Sequence, residues 1–219
     1  LELQRYFGYH GVLNGDTAEE VWNKCNAVLQ QEDMSARGMI LKSNVTHLCT
    51  TDDPADSLEW HKKIKADKSF NVQVLPAWRP EAAMKIADKG FATYVRRLAG
   101  AAEMDIGSYD DFKAAMIKRL EFFNQMGCRA SDHSLDYAMY VPATAAEIED
   151  IFASALAGED ITYEEDLKFK TAFLLFIGRE YKRLGWVMQL HYGVKRDNNS
   201  KMFKSFGANA GCDCIDSYT

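Results

Sequence analysis

Short apolar runs of strand character alternate along this chain with longer stretches of helical periodicity. That alternation constrains the fold more than any other feature of the sequence. The strand-like runs are "NVTHLCT" (Asn44 to Thr50), "NVQVLPAW" (Asn71 to Trp78), "GCRAS" (Gly127 to Ser131), "WVMQLHYG" (Trp186 to Gly193) and "GCDCI" (Gly211 to Ile215). Between them the apolar residues recur at helical spacing. The helical stretches lie near Ser57 to Ala66, around Phe91, Tyr94, Val95 and Leu98, from Asp110 to Met126, from Thr144 to Ala157, from Thr162 to Leu184, and over "SKMFKSFG". Thr144 with Glu147 and Thr162 with Glu165 have the spacing of capping boxes, and Gly185 stops the last long helix. Strands that alternate with helices imply a parallel sheet with right-handed crossovers. No glycine-rich phosphate loop follows any strand, which argues against a nucleotide-binding doubly wound sheet. The alternative within the α/β class is a (β/α) barrel. Five strands do not close an eight-stranded barrel, so that reading is of a partial (β/α)8 TIM barrel with strands outside this window.

The first residues read differently. Asp16 to Gln30 has helical spacing, with Thr17 and Glu20 placed as a capping box, and a second helix is expected from Ser35 to Leu41. Residues 1–42 are therefore read as a helical segment and 43–219 as the partial barrel. The formal net charge of −6, with no Lys/Arg stripe, excludes an electrostatic footprint for nucleic acid. No apolar run approaches the roughly 20 residues that span a bilayer. The longest, "TAFLLFIG" from Thr171, reads as a buried helix turn. Cys25, Cys49, Cys128, Cys212 and Cys214 are odd in number and show no disulfide spacing. Four of them sit in strand-like runs, three of the five read as small core residues, and the set points to a reducing, cytoplasmic compartment. The chain starts without Met or a signal-like region, and both ends read as cut from something longer.

Each strand-like run ends in polar side chains. The first gives Thr50, Thr51, Asp52 and Asp53, and the second gives Arg79 before Pro80. The third gives Ser131, Asp132 and His133; the fourth gives His191 and then Lys195, Arg196 and Asp197; the fifth gives Asp213 and Asp216. In a barrel these ends converge on the face where active sites are built. Each also has a plainer reading. Asp53 before Pro54 reads first as an N-cap. Arg79 reads as a surface turn residue, Asp132 and His133 as caps, and His191 as a core histidine. Glu164, Glu165 and Asp166 read as a solvated helix start, and His10, His47 and His61 as structural or surface residues. The chemical reading rests on charge type. Arg79 and Arg196 on one rim suit an anionic or polyhydroxy substrate, because a guanidinium binds carboxylate in a planar fork. Asp132 can orient a histidine or accept hydroxyl protons. His191 can transfer a proton or ligate a divalent metal.

The segments "HLCTTDDPADSLEWHKKI", "VLPAWRPEAAM", "GCRASDHSLDYAM", "FKTAFLLFIGREY" and "GWVMQLHYGVKRDNN" together resemble the uronate isomerase (glucuronate isomerase) family, a divergent branch of the amidohydrolase superfamily of (β/α)8 barrels. The resemblance covers essentially the whole chain. It implies interconversion of an aldose and a ketose, D-glucuronate to D-fructuronate and D-galacturonate to D-tagaturonate, with a divalent metal, typically zinc. It places Arg79 and Arg196 on the substrate and Asp132 and His191 in the catalytic site. The implied partner is a small-molecule sugar acid, and the chain's own copies in a homo-oligomer are the other partner considered. The family's metal ligands, a His-x-His pair on the first barrel strand and an Asp on the last, are not in this sequence. The strands present correspond to roughly the second through sixth, and the chain alone is expected to be inactive. The alternatives from residue chemistry are a metal-dependent hydrolase on the same barrel and a remnant whose polar rim has no role.

Overall fold

The structure, a computed structural model, describes residues 1–216. Its elements run α1 (Glu2–Phe7), α2 (Ala18–Leu29), α3 (Ala36–Lys42), β1 (His47–Asp52), α4 (Glu59–Ala66), β2 (Gln73–Trp78), α5 (Glu81–Met84), α6 (Phe91–Ala102), α7 (Tyr109–Gln125), β3 (Ala130–Ser134), α8 (Ala145–Ala157), α9 (Tyr163–Leu184), β4 (Val187–His191), β5 (Val194–Lys195), α10 (Ser200–Phe206) and β6 (Cys214–Ile215). They form two compact units, Leu1–Leu48 with Trp60–Val74, and Cys49–Glu59 with Leu75–Thr219. No helix among the described residues is long and apolar enough to cross a membrane.

The smaller unit holds α1 to α3. Its buried side chains include Val21, Met34, Phe70, Val72 and His61. The Tyr6 hydroxyl meets Ser43 Oγ at 2.7 Å, and the Arg37 guanidinium lies 5.0 Å from the centre of the Phe70 ring. The Thr17–Glu20 capping box does not form. Thr17 instead donates to the Val12 carbonyl at 2.7 Å, which turns its hydroxyl away from the helix.

In the larger unit, strand order is β1-β2-β3-β4, and β2–β3 and β3–β4 pair in parallel. Helices cover one side. Between α6, α7, α8 and α9 lies an aromatic cluster of Phe91, Tyr109, Phe112, Phe152, Phe169 and Phe173, with Phe112 and Phe152 centroids 5.3 Å apart. A second group, Trp78, Phe123, Tyr181 and Trp186, joins it to the strands, with Trp78 edge-on to Phe123 at 4.9 Å. Both expected capping boxes form, at Thr144–Glu147 and Thr162–Glu165, and Ser108 with Asp111 makes a third that starts α7. Gly185 ends α9 at φ 70°, in the left-handed region.

The strand limits depart from the sequence reading in three places. The first strand runs on through Thr50 and Thr51 to Asp52. The third is not Gly127–Ser131 but Ala130–Ser134: Gly127 at φ 102° ends α7, and Cys128 N then caps back to the Phe123 carbonyl, which uses those residues in the turn. The fifth run adds no strand to the parallel sheet. Gly193 at φ 77° turns the chain directly from β4 into β5, and β6 pairs antiparallel with that two-residue strand. The parallel sheet therefore has four strands, not five.

Three residue-level expectations also change. Asp53 does not cap a helix. It accepts from Ala55 N at 2.9 Å in a tight turn, and α4 begins only at Glu59. Arg119 explains why: its guanidinium takes the carbonyls of Pro54 at 2.7 Å and Asp56 at 2.7 Å, which holds the corner in a turn. Asp166 is not solvated but 7% exposed, and it is paired with Lys170 at 2.6 Å. Of the five free cysteines only Cys128 is buried.

Candidate functional site

Strand period decides which side chains reach the site. Alternate residues of a strand point to opposite faces. On β3, Ser131 and His133 are buried beneath the helices, whereas Ala130, Asp132 and Ser134 share the opposite face. The register pairs Ala130 with Val187, Asp132 with Gln189 and Ser134 with His191, so His191 shares the face of Asp132 and Ser134.

That face carries three of the four expected residues in direct contact. The Asp132 carboxylate is met from one side by Arg79 Nη1, a long hydrogen bond of 3.4 Å, and from the other by His191 Nε2 at 3.1 Å. Asp132 is the half-buried centre of this chain of contacts, and His191 is its exposed end. Arg79 leaves the end of β2 and donates Nε to Glu81 Oε2 at 2.9 Å. That second carboxylate fixes the guanidinium plane, and Nη1 is the nitrogen that meets Asp132. The fourth residue, Arg196, stands one side chain away. Its Nη2 donates to Ser134 Oγ at 3.3 Å and its Nη1 to Asp213 Oδ2 at 2.7 Å. Asp213 also accepts from Asp197 N, and these bonds hold its carboxyl below the usual carboxylate range. The β1 end contributes less: Thr50 donates to Asp52 at 2.6 Å, and the Asp52 carbonyl accepts from Arg79 N at 2.9 Å, which anchors the start of the arginine.

Behind this face the same strand is built for stability. His133 Nε2 lies 3.0 Å from the Tyr181 hydroxyl. Burial lowers the His133 pKa to about 4, so the ring is neutral at pH 7. Burial also pushes the Tyr181 hydroxyl well above its ordinary value. Ser131 and Trp78 act on that hydroxyl, though Ser131 Oγ, Trp78 Nε1 and His133 Nδ1 are buried without a hydrogen bond of good geometry. His133, read from sequence as a rim residue or cap, is therefore a core group.

Sequence reasoning missed Glu81 and Ser134. Ser134 was legible in principle, since it lies two residues beyond Asp132 on the same strand face. Glu81 had only its position two residues after Arg79, a weak sign. For a metal, no group of three His, Cys, Asp or Glu side chains gathers among the described residues, and His191 is turned to Asp132. The donor set for the implied zinc is not present in these residues.

A sequence model of the glucuronate isomerase family matches residues 1–219. The chain is 54% identical over 218 residues to a uronate isomerase of Lachnospira eligens, covering 100% of this chain and 47% of the relative. It is 56% identical over 215 residues to that of Lachnoclostridium phytofermentans, covering 98% and 46%. The crystal structure of uronate isomerase from Thermotoga maritima superposes with a TM-score of 0.88 at 33% identity, over 100% of this chain and 48% of that one. The chain thus spans about half the length of the relatives it matches. A family match over every residue, together with the fold likeness across the entire chain, places this protein in the glucuronate isomerase family.

Proposed function

We propose that this chain carries one part of the active site of a uronate isomerase, and that a complete protein bearing it interconverts D-glucuronate with D-fructuronate and D-galacturonate with D-tagaturonate. The observation that supports this most is the Arg79–Asp132–His191 chain of contacts, set on one strand face of a glucuronate isomerase family member. In this reading the four parallel strands are part of a (β/α)8 barrel, and residues 1–42 are a helical segment belonging to an insertion between its first two strands. The open face of β3 and β4 is then the barrel interior, where small-molecule sites of this architecture lie.

The reaction shifts one proton between C2 and C1 of the open-chain sugar, while the hydroxyl proton passes between O2 and O1. His191 is the group for the carbon-bound proton. With Nε2 on Asp132, Nδ1 is the nitrogen left to exchange a proton with substrate, and the Asp132 carboxylate stabilises the imidazolium that forms. Arg79 lies against the same carboxylate and offers its remaining N–H groups to substrate oxygens. The divalent metal implied by the family, zinc, supplies polarisation of the sugar carbonyl and hydroxyl when bound; its ligands are not among the residues described, and none of the steps above uses it. The acidic substrate suits a rim with two guanidinium groups better than a neutral amide does, which favours isomerase over hydrolase chemistry.

The test is turnover of D-glucuronate and D-galacturonate by a full-length uronate isomerase carrying this sequence. Asp132→Asn and Arg79→Met should each lower kcat/KM by about a hundredfold or more, the usual size of a general acid–base or charge-positioning loss. Substantial activity surviving both changes would overturn the assignment. The 219-residue chain alone should not turn over either sugar, and detectable isomerisation by it would overturn the view that its site is incomplete.

A further inference from the structure

The Asp132 carboxylate serves two partners with separate oxygens. Oδ2 takes Arg79 Nη1 at 3.4 Å, and Oδ1 takes His191 Nε2 at 3.1 Å. The first contact is long for its groups. A guanidinium beside a carboxylate commonly closes on it with two parallel N–H bonds of about 2.7–2.9 Å. Arg79 instead reaches Asp132 through one nitrogen and from farther away. A closed fork would occupy both Asp132 oxygens and displace His191, so the open contact is what lets Asp132 hold the histidine.

Glu81 keeps that contact open. Its Oε2 accepts from Arg79 Nε at 2.9 Å, the shorter of the arginine's two ion pairs. The carboxylate at bonding distance sets the guanidinium plane, and the one at 3.4 Å takes what that plane presents. Glu81 is placed by the chain around it. The Arg79 backbone N donates to the Asp52 carbonyl at 2.9 Å, and buried Pro80, with its restricted φ, links the two residues. Glu81 then opens α5, which is anchored by buried Ala83 and Met84. The Glu81 side chain itself is 36% exposed, and its other oxygen lies 3.7 Å from Lys85 Nζ. Ion pairs this exposed add little to stability, so holding the fold together does not account for Glu81.

We propose that Glu81 is a positioning residue for the isomerisation. By taking Nε it stops Arg79 from closing on Asp132, keeps Nη2 for substrate oxygens and leaves the second Asp132 oxygen to His191. The proposal rests on the uronate isomerase reading for its reaction, while the arrangement it assigns to Arg79 and His191 can be measured without turnover.

In the full-length protein, Glu81→Leu keeps the bulk and removes the acceptor. It should lower kcat/KM for D-glucuronate about ten- to a hundredfold, with kcat bearing the larger share, while Tm moves by no more than about 3 °C. Glu81→Gln, whose amide oxygen still accepts from Nε, should stay within about fivefold of the parent. In an Arg79→Met background Glu81→Leu should cost less than about threefold more, because no guanidinium is left to position. An unchanged kcat/KM, a Gln variant as poor as Leu, or losses that multiply fully with Arg79→Met would each overturn the proposal.

A crystal structure of the full-length Glu81→Leu variant supplies the readout independent of turnover. It should show Arg79 closed on both Asp132 oxygens and His191 displaced from Oδ1. Arg79 unmoved, or His191 still on Oδ1, would overturn the proposal even in a protein inactive on uronates. The expected rearrangement in a protein that turns over neither uronate would uphold the positioning of Arg79 and overturn the isomerase reading alone.

Discussion

Replacing Arg119 by Met should release the corner that follows β1. The guanidinium is 8% exposed and donates Nε to Pro54 O at 2.7 Å, Nη2 to Asp56 O at 2.7 Å and Nη1 to Ala101 O at 3.1 Å. It also lies 4.3 Å from the centre of the Phe122 ring. Hydrogen bonds from a charged donor contribute about 1.5–3 kcal/mol each, so three sum to roughly 5–9 kcal/mol before any correction. Two effects reduce that. Burial lowers the Arg119 pKa, which marks a desolvation cost that the Met variant no longer carries. Met also refills much of the space against Phe122. A net loss of about 2–4 kcal/mol remains, worth roughly 5–15 °C in Tm for a domain of this size. Urea denaturation should show a lower midpoint at unchanged slope. Hydrogen exchange should show residues 53–58 losing protection first, because the freed carbonyls belong to that turn. Arg119→Lys keeps the charge but not the fork, and should recover less than half of the loss. A midpoint shift worth under about 1 kcal/mol, or a Lys variant as stable as Arg, would refute the reasoning.

The His133 ring has a folded-state pKa of about 4, below its ordinary value of about 6.5, so its neutral form is the one that folding favours. Its contribution is complete above about pH 6.5 and is lost as pH falls toward 4, a span of order 3 kcal/mol at most. His133→Gln should flatten that limb of a stability–pH curve, and an unchanged acid limb would count against the assignment. The two capping threonines should behave differently. Thr162→Ala, which removes a formed capping box, should cost about 1 kcal/mol, whereas Thr17→Ala, whose hydroxyl caps no helix, should cost under about 0.5 kcal/mol by thermal melt.

Helices were legible because their signals are local. The pairs Thr144–Glu147 and Thr162–Glu165 lie within one turn, and Phe112, Met116, Leu120 and Phe123 repeat at helical spacing; all four are fully buried. Strand limits were less legible. "ASDHS" looks like a strand end because it is polar, yet it is a whole strand. The partner that makes His133 tolerable in the core, Tyr181, lies 48 residues away, and no local pattern reports it. The Asp53 corner failed for the same reason. Asp-Pro has the local chemistry of a helix start, but Arg119, 65 residues from Pro54, captures the carbonyls and keeps the segment a turn.

The displaced limit of β3 matters for chemistry because it sets which residues share a face. Had the strand ended at Ser131, Asp132 and His133 would both have been loop residues free to face substrate, and nothing would distinguish them. Inside a strand they must diverge. His133 goes to Tyr181 and is held neutral by burial, while Asp132 goes to the open face between Arg79 and His191. The same two-residue step carries Ser134 to Arg196 and so continues the polar face beyond Asp132. One strand thus joins the aromatic core to the polar face in alternate positions. The Asp132–His191 contact gains from this arrangement, since Asp132 sits on backbone fixed by β2 and β4 on either side rather than on a loop.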